Sequence, residues 1–125
     1  MSLKDAQQSV YEFHRKFGAT IGQFPAIRDP ILRARLLREE CNETCAALVA
    51  GDLVETADGL ADLVYVALGT AVACGIDLAP IFQEVHRSNM TKTPNDKRAD
   101  GKITKGPDYS PPDIKGQLAK QGYKP

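Results

Sequence analysis

Apolar residues recur at three- and four-residue intervals through the first ninety positions, and that spacing predicts helices. Val10, Phe13 and Phe17 share one helical stripe and are followed by Gly18, a helix-stopping residue, which predicts a first helix over about 3–17. The stretch "GATIGQFPAIRDP" then carries two glycines and two prolines. It reads as a loop whose Ile21, Phe24 and Ile27 lie against the body. Asp29 before Pro30 is the expected opening of a second helix, a capping oxygen followed by a proline whose missing N–H costs nothing in the first turn. That helix should run to about Ala50 and stop at Gly51. Asp52 is expected to cap a third, ending near Cys74 with Gly75 as its stop, and Asp77 with Pro80 to open a fourth carrying "IFQEVHRSNM". Short connections between the second, third and fourth make them antiparallel neighbours, so the fold class is all-α, an antiparallel helical bundle. No strand pattern and no repeat is seen.

The pattern changes after Met90. Five prolines, four glycines and few large apolar residues predict an extended or turn-rich tail over 91–125, part of the same domain as the four-helix body at 1–90 and able to cover a site on it. Charge changes at the same place: residues 1–90 hold eight Lys/Arg against twelve Asp/Glu, and 91–125 hold eight against four, so a body at −4 precedes a tail at +4 and the chain sums to zero. A zero sum gives no global attraction to nucleic acid or to an anionic membrane, and the tail has only Tyr109 and Tyr123 as aromatics to stack on bases. The longest uncharged run, 63–76, is fourteen residues, short for a membrane span and suited to a core helix. Cys41, Cys45 and Cys74 are odd in number, lack CxxC spacing and sit among apolar residues. They are expected to be reduced core thiols of a cytoplasmic protein.

The chemistry lies in two acidic helix faces. In "LLREECNETCAAL", Cys41, Thr44, Cys45 and Leu48 make one apolar stripe, while Arg35, Arg38 and Asn42 point to solvent. Glu39, Glu40 and Glu43 fall on the arc that also holds Leu32, Leu36 and Ala47, so the acids interrupt a second apolar stripe. On the third helix Glu55, Asp58 and Asp62 share a face that continues as Tyr65, Val66, Gly69 and Ala73. If the two faces meet, up to six carboxylates converge, which is costly unless they are protonated or neutralised by cations. Oxygen-only donors suit a hard cation, Mg²⁺ or Mn²⁺. His14 and His86 lack the Glu-x-x-His spacing of di-iron bundles. Carboxylate-bound Mg²⁺ keeps positions open for water and phosphate, and Lys92, Lys97, Arg98, Lys102 and Lys105 supply complementary cations. Phosphate-ester or anhydride hydrolysis is the reading from chemistry alone.

"EECNE" fits EExxE, and with "ETADGLAD", "VHRSNMTK" and "KGPDYSPPD" it resembles the all-α nucleoside triphosphate pyrophosphohydrolases, the MazG-like superfamily that includes dimeric dUTPases and phosphoribosyl-ATP pyrophosphohydrolases. The resemblance covers about residues 10–114. It implies a bundle completed by dimerisation, a homodimer or a dimer of dimers, and Mg²⁺-dependent cleavage of a (deoxy)nucleoside triphosphate to the monophosphate and pyrophosphate. By position it implies Glu39, Glu40 and Glu43 as metal carboxylates, with Asp62 as the last residue of the family's ExxD. The glutamate of that motif falls on Gly59, and either Asp58 takes its place or Glu55 and Asp58 form the motif one turn earlier. Asn89 and Lys92, with Lys105 and Tyr109 from the tail, are implied as contacts to substrate phosphate or sugar.

Glu43 and Glu39 are the residues assigned to catalysis, Glu39 as acceptor of a proton from water because it lies farthest around the helix from Glu40. Phe13 and Phe17 are expected in the core, His14 at the surface, and Tyr65 in packing. The competing functions are phosphoribosyl-ATP hydrolysis and a dimeric module that binds metal or nucleotide without turnover, the latter suggested by Gly59.

Overall fold

The computed structural model describes residues 1–93 and 97–125; residues 94–96 of the expected tail lie outside the described residues. The described residues form five α-helices: α1 (Leu3–Phe17), α2 (Pro30–Ala50), α3 (Leu53–Ala73), α4 (Leu78–Asn89) and α5 (Ile114–Lys120). They make two compact units, Met1–Leu78 and Ala79–Pro125.

In the first unit, α2 and α3 form an antiparallel hairpin and α1 packs on α3. Ser2 and Asp5 close a reciprocal capping box at the start of α1, worth about 1 kcal/mol. Gly18 and Gly51 end α1 and α2 in the left-handed conformation, and the Asp52 side chain caps α3 by accepting from the Glu55 amide, as expected. Asp29 departs from expectation. It is itself left-handed (φ 49°) and makes no side-chain cap to α2; its carboxylate instead accepts from the Thr20 hydroxyl.

Val10, Leu68 and Val72 are the centre of the core, with Leu3, Ala6, Tyr11, Ile21 and Leu78 packed around them. Each large side chain removed from water there contributes roughly 1.5–3 kcal/mol. The loop after α1 is held by backbone bonds from Gly22 to Val72 O and from Ala26 to Cys74 O, both 3.0 Å. Gly75 is required where it stands, because its φ is +67° and a Cβ would overlap the Phe24 carbonyl. Ile21 lies against the core, whereas Phe24 and Ile27 are exposed, contrary to expectation. One further tie closes the unit: the Gln7 amide donates to Ile76 O at 2.7 Å and accepts from the Leu78 N–H at 3.0 Å.

By length and mean hydropathy α3 reaches the range of a membrane span, although the uncharged run falls short of it. Its second half, however, is buried from Leu68 to Ala73 apart from the half-buried Thr70, and its first half carries Glu55, Asp58 and Asp62, the character of a core helix.

In the second unit the tail is pinned rather than loose. Arg87 holds Glu84 through two bonds of 2.6 and 3.1 Å and reaches Ser110 Oγ (3.2 Å) and Pro111 O (3.1 Å). The Asp113 amide donates to Glu84 at 2.6 Å, and the Ser110 amide to Thr91 Oγ1 at 2.8 Å. Asp113 then caps α5, a short helix that the proline and glycine content hid.

Candidate active site

The α2–α3 hairpin brings the two acidic faces together around Glu40. Glu40 is half-buried, and its Oε2 is enclosed without any hydrogen-bond partner. Burial raises its pKa, and Asp62, Glu43, Glu39 and Asp58 raise it further. Four neighbouring carboxylates thus act on one partly desolvated acid. Glu39, Glu43, Asp58 and Asp62 are exposed. Glu55 is not among the acids that act on Glu40; it sits in the first turn of α3, exposed, where a negative charge favours the helix terminus. The α3 carboxylates facing Glu40 are therefore Asp58 and Asp62, one turn apart.

Gly59, between them, faces α2. A Cβ there would overlap the Thr44 hydroxyl and stand 3.2 Å from the Thr44 Cα. Thr44 is buried, and its hydroxyl turns back to the Glu40 carbonyl at 2.7 Å. The hairpin makes this close approach at the level of the acids, and no carboxylate fits at position 59.

Nearly three turns further along α3, at Gly69, a second close approach involves a buried cation. Arg33 of α2 donates from Nε to Thr70 Oγ1 (3.1 Å) and from Nη2 to Val66 O (3.0 Å). A Cβ at Gly69 would stand 2.6 Å from Arg33 Nη2 and 3.0 Å from His14 Nε2. Burial lowers the Arg33 pKa, with Cys74 and Asp29 acting in the opposite direction, and the guanidinium remains cationic at neutral pH. His14 Nδ1 lies 2.8 Å from Thr20 O; a carbonyl only accepts, so Nδ1 carries the proton.

Several sequence expectations are corrected here. His14 is buried at 3 % exposure, whereas Phe13 and Phe17 are exposed at 44 % and 64 %. Val10 is buried as expected, but the buried stripe continues through His14 instead of Phe13 and Phe17, because His14 reaches a loop carbonyl and fits over Gly69. Cys74 is buried, but Cys41 and Cys45 are exposed, as is Leu48; α2 turns Thr44 rather than its thiols toward α3. Tyr65 is 42 % exposed and meets Phe13 edge to face at 5.6 Å.

The remaining site residues belong to the second unit. Lys105 Nζ lies 4.9 Å from the centre of the Tyr109 ring, and Tyr109 Oη lies 3.3 Å from Ser88 Oγ. Lys92 and Lys105 line a cavity of about 230 Å³ together with Arg98, Lys102, Ile103 and Thr104. Asn89 is exposed at the end of α4. Sequence reasoning missed the packing of Arg33 and His14 over Gly69 and the Glu84–Arg87 clamp. Gly59 and Gly69, ten residues apart on α3, were the available signal for the helix contacts.

A family model, phosphoribosyl-ATP pyrophosphohydrolase, matches residues 10–89. The chain belongs to this family. It is a pyrophosphohydrolase, a hydrolase acting on phosphoanhydride bonds, and a member of the all-α nucleoside triphosphate pyrophosphohydrolase superfamily. No curated protein matches the chain at a significant level. The matched span includes all the acidic residues of the site and ends at Asn89, before the basic loop.

The family's pyrophosphohydrolases typically use divalent metal ions. The donor set fits such an ion: an enclosed carboxylate oxygen without a partner, in a ring of acids, is a place where a hard cation relieves repulsion. Among the described residues, however, no three acidic, histidine or cysteine side chains converge at ligand distance.

Proposed function

We propose that the protein is a Mg²⁺-dependent nucleoside triphosphate pyrophosphohydrolase that converts a (deoxy)nucleoside triphosphate to the monophosphate and pyrophosphate, serving the upkeep of the nucleotide pool. The observation that carries this reading is the enclosed, partnerless Oε2 of Glu40 among Glu39, Glu43, Asp58 and Asp62. Glu40, Glu43, Asp58 and Asp62 would hold Mg²⁺, with Mn²⁺ as a substitute and Glu39 as a further ligand. Bound there, the cation shields phosphate charge and acidifies water. Glu39, exposed at the edge of the cluster, accepts a proton from the attacking water, and Glu43 is the second acid assigned to catalysis. Asn89, Lys92, Lys105 and Tyr109 are assigned to the substrate's phosphates and sugar, where cationic side chains stabilise charge on the departing pyrophosphate.

A homodimer, or a dimer of dimers, is part of the proposal. Leu53, Leu60 and Val64 lie on the side of α3 turned away from Asp58 and Asp62, and they are 80 %, 50 % and 52 % exposed. An apolar stripe of that kind is what a second copy would cover. Three unpaired thiols fit a reducing cytoplasm.

The test is pyrophosphate release from ordinary, deoxy and modified nucleoside triphosphates with Mg²⁺, Mn²⁺ or EDTA, on the wild type, Glu43→Gln and Asp62→Asn. Metal-dependent release lost in both variants supports the reading. Phosphoribosyl-ATP belongs in the same panel, because the matching family model bears its name. Preference for it over every triphosphate would replace the housecleaning role with that reaction.

A further inference from the structure

Phe13, Phe17 and Tyr65 form an aromatic cluster that the metal-site reading leaves unused. Phe13 meets Phe17 at 4.8 Å between ring centres and Tyr65 edge to face at 5.6 Å. All three rings are between 42 % and 64 % exposed, although they stand beside a core that buries Val10 and Leu68 almost completely. Exposed aromatic faces grouped in this way cost solvation unless something covers them.

Their position relative to the acids follows from the helix register. Asp58, Asp62 and Tyr65, at i, i+4 and i+7, lie on one face of α3, and Tyr65 is roughly 4.5 Å of helical rise beyond Asp62. α1 runs antiparallel to α3, since Gln7 bonds to Ile76 and Leu78 while Phe13 meets Tyr65. Phe17, one turn past Phe13, therefore comes level with Asp62. The cluster thus forms an apolar ledge beside the acids, toward the C-terminal end of α3, and on α2 the half-buried Leu36 lies one turn before Glu40.

A ligand whose phosphates sit at the acids presents whatever lies one sugar's length away to this ledge. We infer that Phe13, Phe17 and Tyr65 are the nucleobase subsite, holding a purine or pyrimidine ring by stacking and edge contact. This rests on the proposed nucleotide reading and extends it to the part of the substrate that carries no charge. Aromatic faces accept any base ring, so the ledge supplies affinity, and discrimination among bases must come from polar groups at its edge. The Tyr65 hydroxyl is one such group.

The test compares two ligands in the presence of Mg²⁺: a non-hydrolysable imido analogue of a deoxynucleoside triphosphate, and imidodiphosphate, which has no base. Phe13→Leu and Tyr65→Leu keep apolar volume while removing the rings, and Tyr65→Phe keeps the ring. Stacking of one base is worth ~1–3 kcal/mol, so each Leu variant should weaken the nucleotide analogue by about 5- to 150-fold. Imidodiphosphate affinity should stay within about twofold, and Tyr65→Phe should bind the analogue more tightly than Tyr65→Leu. Equal weakening of both ligands, or of neither, overturns the subsite. So does a drop in oligomeric state of the Leu variants by sedimentation, which would make the ledge a contact between copies. If the wild type binds both ligands but releases no pyrophosphate from any triphosphate, the proposed reaction fails while the base-to-phosphate binding ratio still decides the subsite.

Discussion

Thr44 of α2 occupies the space that a side chain at position 59 of α3 would need. Its hydroxyl donates to the Glu40 carbonyl, so turning the side chain aside breaks that bond, and the Thr44 Cα, 3.2 Å from where a Cβ at position 59 would stand, cannot move without shifting the helix that carries the acids. The glycine that looked like a missing ligand is a packing position, and the acids of α3 stand on either side of it.

Gly59→Ala should therefore destabilise the protein by about 1–3 kcal/mol through overpacking, and Gly59→Glu by at least as much. Thermal denaturation measures this. Gly59→Glu should also lower pyrophosphate release measured with Mg²⁺. A gain of activity in Gly59→Glu would show that the hairpin opens to admit a carboxylate there.

Glu40 gives a pH prediction whose sign is set by its environment. Its folded pKa is raised, first by burial and then by Asp62, Glu43, Glu39 and Asp58, so the folded chain holds that proton more tightly than the unfolded chain. Without metal, this contribution favours the fold at low pH and is lost as pH rises through the raised value. Glu40→Gln should raise the melting temperature of the metal-free protein at neutral pH and abolish further stabilisation by Mg²⁺. Scanning calorimetry with EDTA and with Mg²⁺ checks both parts; a lower metal-free melting temperature would count against the assignment.

The clamp on the tail titrates in the other direction. Arg87, then the Asp113 amide, lower the Glu84 pKa to about 2. Its contribution is complete above the ordinary carboxylate value of 4.5 and is lost as pH falls toward 2. Hydrogen exchange at the Asp113 amide, corrected for its intrinsic pH dependence, should lose protection over that window. Glu84→Gln should show the loss already at neutral pH, with little change in the protection of α3.

Arg33 and Gly69 should couple. Arg33→Met removes the bonds to Thr70 and Val66 and should cost about 1–3 kcal/mol. Gly69→Ala should cost a similar amount by pressing on the guanidinium and on His14. In the double variant the costs should fall short of additivity, because the methionine yields the space that the new methyl group needs. Additive losses in a double-mutant cycle would mean that the two residues act separately.

The helices were legible because their signals are local. Gly18 and Gly51 stop α1 and α2, and Asp52 caps α3, where the sequence predicts. That the acidic faces of α2 and α3 meet was legible from the short connection between the helices, although Glu55 is not among the acids that act on Glu40. What failed depended on partners distant in sequence. His14 goes inside because Thr20 O and Gly69 receive it, and neither is visible in the period of α1. Phe13 and Phe17 read as core from the same period. Asp29 is a capping residue by type, but it takes a left-handed conformation and its carboxylate goes to Thr20. α5 stayed hidden because seven residues are too few for periodicity to show among prolines and glycines.

The Gln7 amide that joins α1 to the turn before α4 spans 69 residues to Ile76 and 71 to Leu78. Its two bonds replace what a neighbouring strand would give an open turn, but they close a very long loop. Such contacts form after the local ones, when the entropy of closing the chain has already been offset by other packing. During synthesis α1 is therefore made well before the residues that secure it, waiting for residue 78 to emerge.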